Sequence, residues 1–378
     1  MRTSVLAPFF QRNPVPEREE TGIVRNSNIP AIRGLHLEEL DANPMPGKEV
    51  HARLWTVGDE GEMAFMDQGR DGANNYFEMC RGRYEKLHAM GIHHVSGPNE
   101  PLFWSLAQLE RYNAFQVRLG ELLGNFGMHY WGWDWSVGWP DHGLAKYWVD
   151  SVRVARQTGG GLVVHMYGAP RVFNNGEFGY PDEHYALRAV RQIKELYQAG
   201  LSDGERWIVI GELGIDGGIV RWWEEPWCKI RHMRGWKEWT QWQLPLDEKI
   251  YWDQLNSYDD FLRTIKEVRW GFPFISLPNP DWADFVVTPY HLRQMATKYH
   301  QIGMGDYIQN YILPRNPAAA LERAALTLNP GAISVSPEVD HNGWRGQAFR
   351  FPGDKEYQHI FHCKIGDWGN ITYERRRD

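Results

Sequence analysis

From Ile92 to Leu277 the chain alternates short apolar runs with stretches of helical period, and this rhythm limits the possible folds more than any other feature. Ile92-His93-His94-Val95 precedes Leu106, Leu109, Val117, Leu119 and Leu123, which recur at helical spacing. Met128-His129-Tyr130-Trp131-Gly132-Trp133 follows, then a helical stretch through Trp148, Val149, Val152 and Ala155 that stops at Gly159-Gly160-Gly161. Leu162-Val163-Val164-His165-Met166-Tyr167 is the next strand pattern. Leu187, Val190, Ile193 and Tyr197 predict a helix that Gly200 closes before Trp207-Ile208-Val209-Ile210. Phe261, Ile265 and Val268 predict a last helix before Phe272-Pro273-Phe274-Ile275-Ser276-Leu277. Apolar residues every three or four positions mark a helix packed on one side, and short apolar runs bounded by Gly mark buried strands. Strand and helix in strict alternation mean parallel strands joined by crossover helices.

Two weaker strands stand in front, Ile32–Leu37 and Val50–Trp55, followed by a helix through Phe77, Cys80, Tyr84 and Leu87 that stops at Gly91. The stretch from Leu37 to Val50 is too short for a helix and a further strand. Either an opening strand lies in residues 1–30, which read as an irregular arm, or one βα unit is reduced. A doubly wound open sheet is the competing architecture, but the G-x-G-x-x-G turn after its first strand is missing. The expected fold is a TIM-type (β/α)₈ barrel over 31–313, with a reduced or divergent first βα unit as one outcome. A C-terminal extension, 314–378, combines a helix at 318–328 with short strands such as Gln347–Phe351 and His359–Cys363, and reads as a small β-rich addition.

Composition narrows the partners. The hydrophobic share is 42% and the charged share 24%, as in ordinary globular proteins. A formal net charge of -7 argues against nucleic acid and anionic membranes, which require clustered Lys and Arg. The basic Arg375-Arg376-Arg377 reads as a solvated tail. No run approaches the ~18 apolar residues of a membrane span. The opening ten residues lack the layout of a signal peptide, so a cytoplasmic location is the default expectation. Three cysteines without paired or metal-type spacing give no disulfide framework, and no metal or cofactor is expected. His36, His94 and His165 fall near strand ends without His-x-His or HExxH spacing. The oligomeric state is open.

Two glutamates stand where apolar runs give way to Gly or Pro turns: Gly97-Pro98-Asn99-Glu100-Pro101 and Ile210-Gly211-Glu212-Leu213-Gly214. Strand ends of this kind carry the chemistry of a barrel. A carboxylate pair suits glycoside hydrolysis, one protonating the leaving oxygen and the other meeting the sugar cation. Both have structural readings as well: Glu212 as a cap for the following turn, Glu100 as an acid favoured at a helix start.

The turn Asn99-Glu100-Pro101 and the strand ends His165-Met166-Tyr167 and Gly211-Glu212-Leu213-Gly214, in that order, resemble strands four, six and seven of clan A glycoside hydrolases. The likeness covers roughly residues 32–290. It implies Glu100 as general acid/base and Glu212 as nucleophile of a retaining enzyme acting on a β-linked glycan. It also implies Asn99 on the sugar 2-hydroxyl, Tyr167 holding Glu212 and Arg53 keeping Glu212 ionised, with His165 in the same site. A cation beside one carboxylate and burial of the other would separate their pKa values.

Nineteen Trp are several times ordinary usage, and indole faces suit pyranose rings. Trp104, Trp135, Trp139 and Trp282 serve either as stacking platforms or as packing. Asp134, near Asp141, either binds sugar hydroxyls or hydrogen-bonds its own loop. The 219–257 insertion carries seven Trp, is expected to overhang the barrel mouth, and offers Trp222 and Trp223 as the first candidates to face sugar. Phe274-Ile275-Ser276 stands where many clan relatives place a sugar-facing Trp. That departure leaves a second outcome, a non-catalytic carbohydrate-binding or surface-attached structural protein on the same barrel.

Overall fold

The computed structural model describes residues 4–11, 14–15, 18–54, 56–169, 171–172, 185–216, 235–237, 247–278, 280–307, 333–334, 339–341, 344–350, 357–364 and 367–377. Eight parallel strands lie side by side in chain order: β1 (Phe9–Phe10), β2 (Ala31–Leu35), β3 (Glu49–Arg53), β4 (His94–Ser96), β5 (His129–Trp135), β6 (Gly161–Gly168), β7 (Ile208–Ile215) and β8 (Val268–Pro273). Parallel bridges from Leu6 to Gly271 and from Phe10 to Ser276 bring the two edges together. Gly271 donates to Val5 O at 2.8 Å and Ser276 to Phe9 O at 2.6 Å. The result is a (β/α)₈ barrel. β2, β6 and β7 are buried along their whole length, as expected of strands covered on both faces.

The opening strand lies inside the segment read as an irregular arm, and that reading is corrected. β1 is two residues long and is held by neighbours distant in sequence, so it leaves no periodic signal. A short helix, α1 (Glu19–Arg25), connects it to β2, and the crossover from β2 to β3 shrinks to one 3-10 turn, Leu37–Glu39. Both sequence alternatives are therefore realised, an early strand and a reduced unit.

The remaining helices are α2 (Gly58–Met66), α3 (Gly69–Ala89), α4 (Leu106–Asn125), α5 (Val149–Gln157), α6 (Arg188–Gln198), α7 (Glu248–Leu262) and α8 (Pro289–Tyr307). Ser105 caps α4 by accepting from Gln108 N, and Asp247 caps α7 by accepting from Ile250 N at 2.7 Å. Gly91 and Gly200, the stops read from the sequence, have φ of 75° and 89°, the left-handed conformation that ends a helix. α7 starts inside the predicted insertion and ends before Ile265, while Val268 opens β8. α6 buries a different stripe from the predicted one. Val190 is exposed, whereas Arg188, Arg191 and Gln192 are buried because they donate to the carbonyls of Ser136, Pro140 and Trp139.

The chain divides into two compact units, Arg2–Ala296 and Thr297–Asp378. The second holds a five-stranded antiparallel sheet of β9 (Ile333–Ser334), β10 (Val339–His341), β11 (Trp344–Arg350), β12 (Tyr357–Lys364) and β13 (Asp367–Arg377), ordered β10-β11-β12-β13 with β9 on β11. Arg375, Arg376 and Arg377 belong to β13, paired with β12, and are not a free tail. The predicted 318–328 helix lies outside the described residues. Among the described residues no helix is long and apolar enough to cross a membrane.

Candidate functional site

The C-terminal ends of β3 to β7 converge on one charged cluster. His165 and Glu212 are register partners across β6 and β7, which sets their side chains side by side. His165 Nδ1 lies 2.7 Å from Glu100 Oε1 and 3.6 Å from Glu212 Oε2, and its Nε2 lies 2.8 Å from Asp134 Oδ1. Arg53 Nη1 donates to Glu212 Oε1 at 2.6 Å, and Tyr167 OH donates to Glu212 Oε2 at 2.8 Å. Arg33 closes the cluster from β2 with an ion pair to Asp134 Oδ2, both side chains fully buried. Charges thus alternate through the barrel: Arg33, Asp134, His165, then Glu100 and Glu212, with Arg53 beyond.

This order fixes protonation. Burial alone would push His165 down, but Glu212, Asp134 and Glu100 outweigh it and raise the imidazole to about 9. At neutral pH the ring is a cation and both nitrogens donate. Burial would raise Asp134, yet Arg33 and His165 hold it well below the usual carboxylate range. Arg53 loses solvation but sits among Glu212, Asp134 and Glu100, which hold its proton more tightly than usual.

The turn bearing Glu100 is fixed from two sides. Glu100 adopts φ 43°, and its N–H donates to the Asp134 carbonyl at 3.0 Å. Asp134 and Trp133 are themselves left-handed, at φ 41° and 76°. Non-glycine residues in that region cost on the order of 1–3 kcal/mol each and persist where surroundings over-determine them, often at functional sites. From the other side, Glu62 in α2 accepts Asn99 N–H at 2.9 Å, while its second oxygen accepts from Thr56 Oγ1 at 3.0 Å and Tyr76 OH at 3.3 Å. Glu62 is completely buried, and burial raises its carboxyl against those hydrogen bonds.

A cavity of about 310 Å³ opens over the cluster. Arg53, Asn99, Glu100, Tyr167, Glu212 and Trp282 line it, all of them nominated by the sequence. His165 is buried beneath, touching the cavity only through Glu100 and Glu212. Asp134 is also buried, with no exposed surface for a sugar hydroxyl, and the sugar-binding alternative gives way to a structural one. Trp135 is packing as well: it is fully buried and stacked on Trp133, centroids 4.3 Å apart. Trp139 and Trp104 meet edge to face, ring centroids 6.1 Å apart, and are not among the cavity residues. Trp104 is 79% exposed. Trp222 and Trp223 lie outside the described residues. Phe274 lines the cavity where the clan pattern expects Trp, and Trp282 meets its ring edge-on at 5.4 Å.

Comparison with known proteins adds the following. No family model matches the chain, and no curated protein matches it. Among solved structures, a family 39 glycoside hydrolase from the gut symbiont Bacteroides cellulosilyticus WH2 is similar, with 11% identity and a TM-score of 0.44, over 96% of this chain and 71% of that one. The barrel expected from the sequence is present, eight parallel strands with Glu100 following the fourth and Glu212 in the seventh.

Sequence reasoning missed Arg33, Glu62, Asp59 and Asp216. Asp216 was the most accessible to it, since it follows Glu212 by four residues at the end of the same strand and lines the cavity. Glu100, His165 and Glu212 present atoms within 4.8 Å of one another, a spacing a cation could bridge. The doubly protonated His165 ring has no lone pair to offer one, because both nitrogens donate to carboxylates.

Proposed function

We propose that the chain is a retaining glycoside hydrolase acting on a β-linked glycan, with Glu212 as nucleophile and Glu100 as acid/base. The observation that carries this reading is the approach of their carboxyl oxygens to within 4.8 Å at the edge of one cavity. Retaining pairs stand about 5–5.5 Å apart, whereas inverting pairs need about 6.5–9.5 Å to admit a water.

In the first step Glu212 attacks the anomeric carbon as Glu100 protonates the departing oxygen, leaving a glycosyl ester on Glu212. In the second, Glu100 takes a proton from water, which attacks the same carbon and releases Glu212. Arg53 and Tyr167, each hydrogen-bonded to one Glu212 oxygen, fix the carboxyl group at the cavity wall for in-line attack. Asn99 at the cavity wall suits the 2-hydroxyl, and Phe274 with Trp282 supplies an apolar face for the ring.

The test is a panel of aryl β-glycosides and natural glycans, with the product anomer followed by proton NMR. First-formed product of retained configuration is expected. An inverted product would move water to the place given to Glu212, and glycan binding without hydrolysis would leave the carbohydrate-binding alternative.

A further inference from the structure

We propose that Asp134 is a positioning residue for Glu100, acting by two routes, its backbone carbonyl and the His165 ring, with buried Arg33 as its counter-charge. The proposal rests on Glu100 being the acid/base of the reaction above. The contacts form a closed loop. Glu100 N–H donates to Asp134 O at 3.0 Å, Asp134 Oδ1 accepts from His165 Nε2 at 2.8 Å, and His165 Nδ1 donates to Glu100 Oε1 at 2.7 Å.

Three observations favour positioning over direct contact with substrate. Asp134 is fully buried and does not line the cavity. Its backbone leaves the strand conformation, together with Trp133, and the β5–β6 register breaks between Gly132 and Trp135, which aims the Asp134 carbonyl at Glu100 instead of at β6. Finally, an aspartate placed inside a barrel needs compensation, and Arg33 supplies it from β2.

The loop has a chemical consequence. The groups facing His165 are Glu100 after β4, Asp134 from β5 and Glu212 from β7, while Arg33 from β2, Arg53 from β3 and Tyr167 from β6 meet those carboxylates in turn. Three carboxylates outweigh burial and keep the ring charged. Neutralising Asp134 removes one of the three and, with it, the donor that orients Glu100. Nδ1 then turns acceptor and competes with the leaving oxygen for the Glu100 proton.

Asp134→Asn alone strands Arg33 in the interior, a change large enough to unfold the chain. The test therefore also uses the neutral pair Arg33→Met with Asp134→Asn. In the wild-type protein, NMR of the His165 imidazole should show a charged ring that titrates near 9. In the double variant the midpoint should fall by roughly one unit or more. Hydrolysis of aryl glycosides with poor leaving groups should fall about 10- to 100-fold through kcat, with KM held, while activated dinitrophenyl glycosides change little. An unmoved His165 titration, or equal losses for all leaving groups, would overturn the proposal. A wild-type protein inert on every glycoside would instead remove the hydrolase reading and the acid/base role of Glu100, and the titration would still decide whether Asp134 holds the His165 cation.

Discussion

The two ends of the barrel carry clusters of the same residue types in opposite states. At the N-terminal end, Glu49 accepts from Arg269 twice, at 2.6 and 2.5 Å, from Trp270 Nε1 at 2.7 Å and from His51 at 2.7 Å. His94 stacks on His51 at 4.7 Å and accepts from Trp131 Nε1 at 3.1 Å. One carboxylate there serves several donors. Burial pushes His94 down to about 2 and also lowers His51, so both rings stay neutral. At the C-terminal end three carboxylates surround one ring, His165 is a cation, and the Glu100 side chain is 38% exposed at a cavity. The ratio of carboxylates to cations, and access to solvent, separate a saturated structural knot from a site with capacity left for a ligand. This fits the division of labour in such barrels, stability at the bottom and chemistry at the top.

The largest effect should separate the two ends by readout. Glu212→Gln is expected to cut kcat by about 10⁴-fold or more while the fold persists, since shape is kept and Arg53 retains an acceptor. Glu49→Gln should leave the specific activity of the folded protein near wild type and cost about 2–3 kcal/mol in denaturant unfolding, because Arg269 loses its partly buried counter-charge. Lost activity with unchanged stability in the Glu49 variant would break the comparison.

Opposite pH slopes should follow. His165 is raised from 6.5 to about 9, so its contribution to stability is complete below pH 6.5 and fades as pH climbs to about 9. His94 is lowered from 6.5 to about 2, so the unfolded chain takes up its proton first and stability is lost as pH falls below 6.5. Thermal melts from pH 5 to 9 should lose their alkaline slope in His165→Asn, by on the order of 2 kcal/mol, and soften their acid slope in His94→Phe. A His165 variant with an unchanged alkaline limb would contradict the charge order of the upper cluster.

How much of this was legible in the sequence depended on range. The helices from α3 to α5 announced themselves through local periodicity and glycine stops. Glu100, Glu212, Tyr167 and Arg53 stood at strand ends, where a pattern reader looks for chemistry. β1 was invisible because its two residues are defined by pairing with β2 and bridging near β8. Arg33 was illegible for a different reason: a charge inside a strand reads as a solvent-facing position until its partner, here Asp134, is seen. Trp135 stayed open between platform and packing because the left-handed break at Trp133 and Asp134, which stacks the two indoles in the interior, has no sequence signal.

The smallest expected effect sharpens the upper region itself. Trp282→Ala should weaken glycan binding by about 1 kcal/mol, as for an aromatic face lost from a sugar contact. Trp104→Ala, off the cavity, should change nothing measurable. Reversed outcomes would move the sugar-binding surface out toward Trp104 and Trp139.

The central claim, that Glu212 becomes covalently glycosylated beside Glu100, is tested most directly by trapping. Incubation with a 2-deoxy-2-fluoro glycoside bearing a dinitrophenyl leaving group, which slows release of the intermediate, should add one sugar mass to the protein. Peptide mapping should place that mass on Glu212, with no label in Glu212→Gln. Rapid turnover of activated glycosides with no adduct, or an adduct on another carboxylate, would contradict the account.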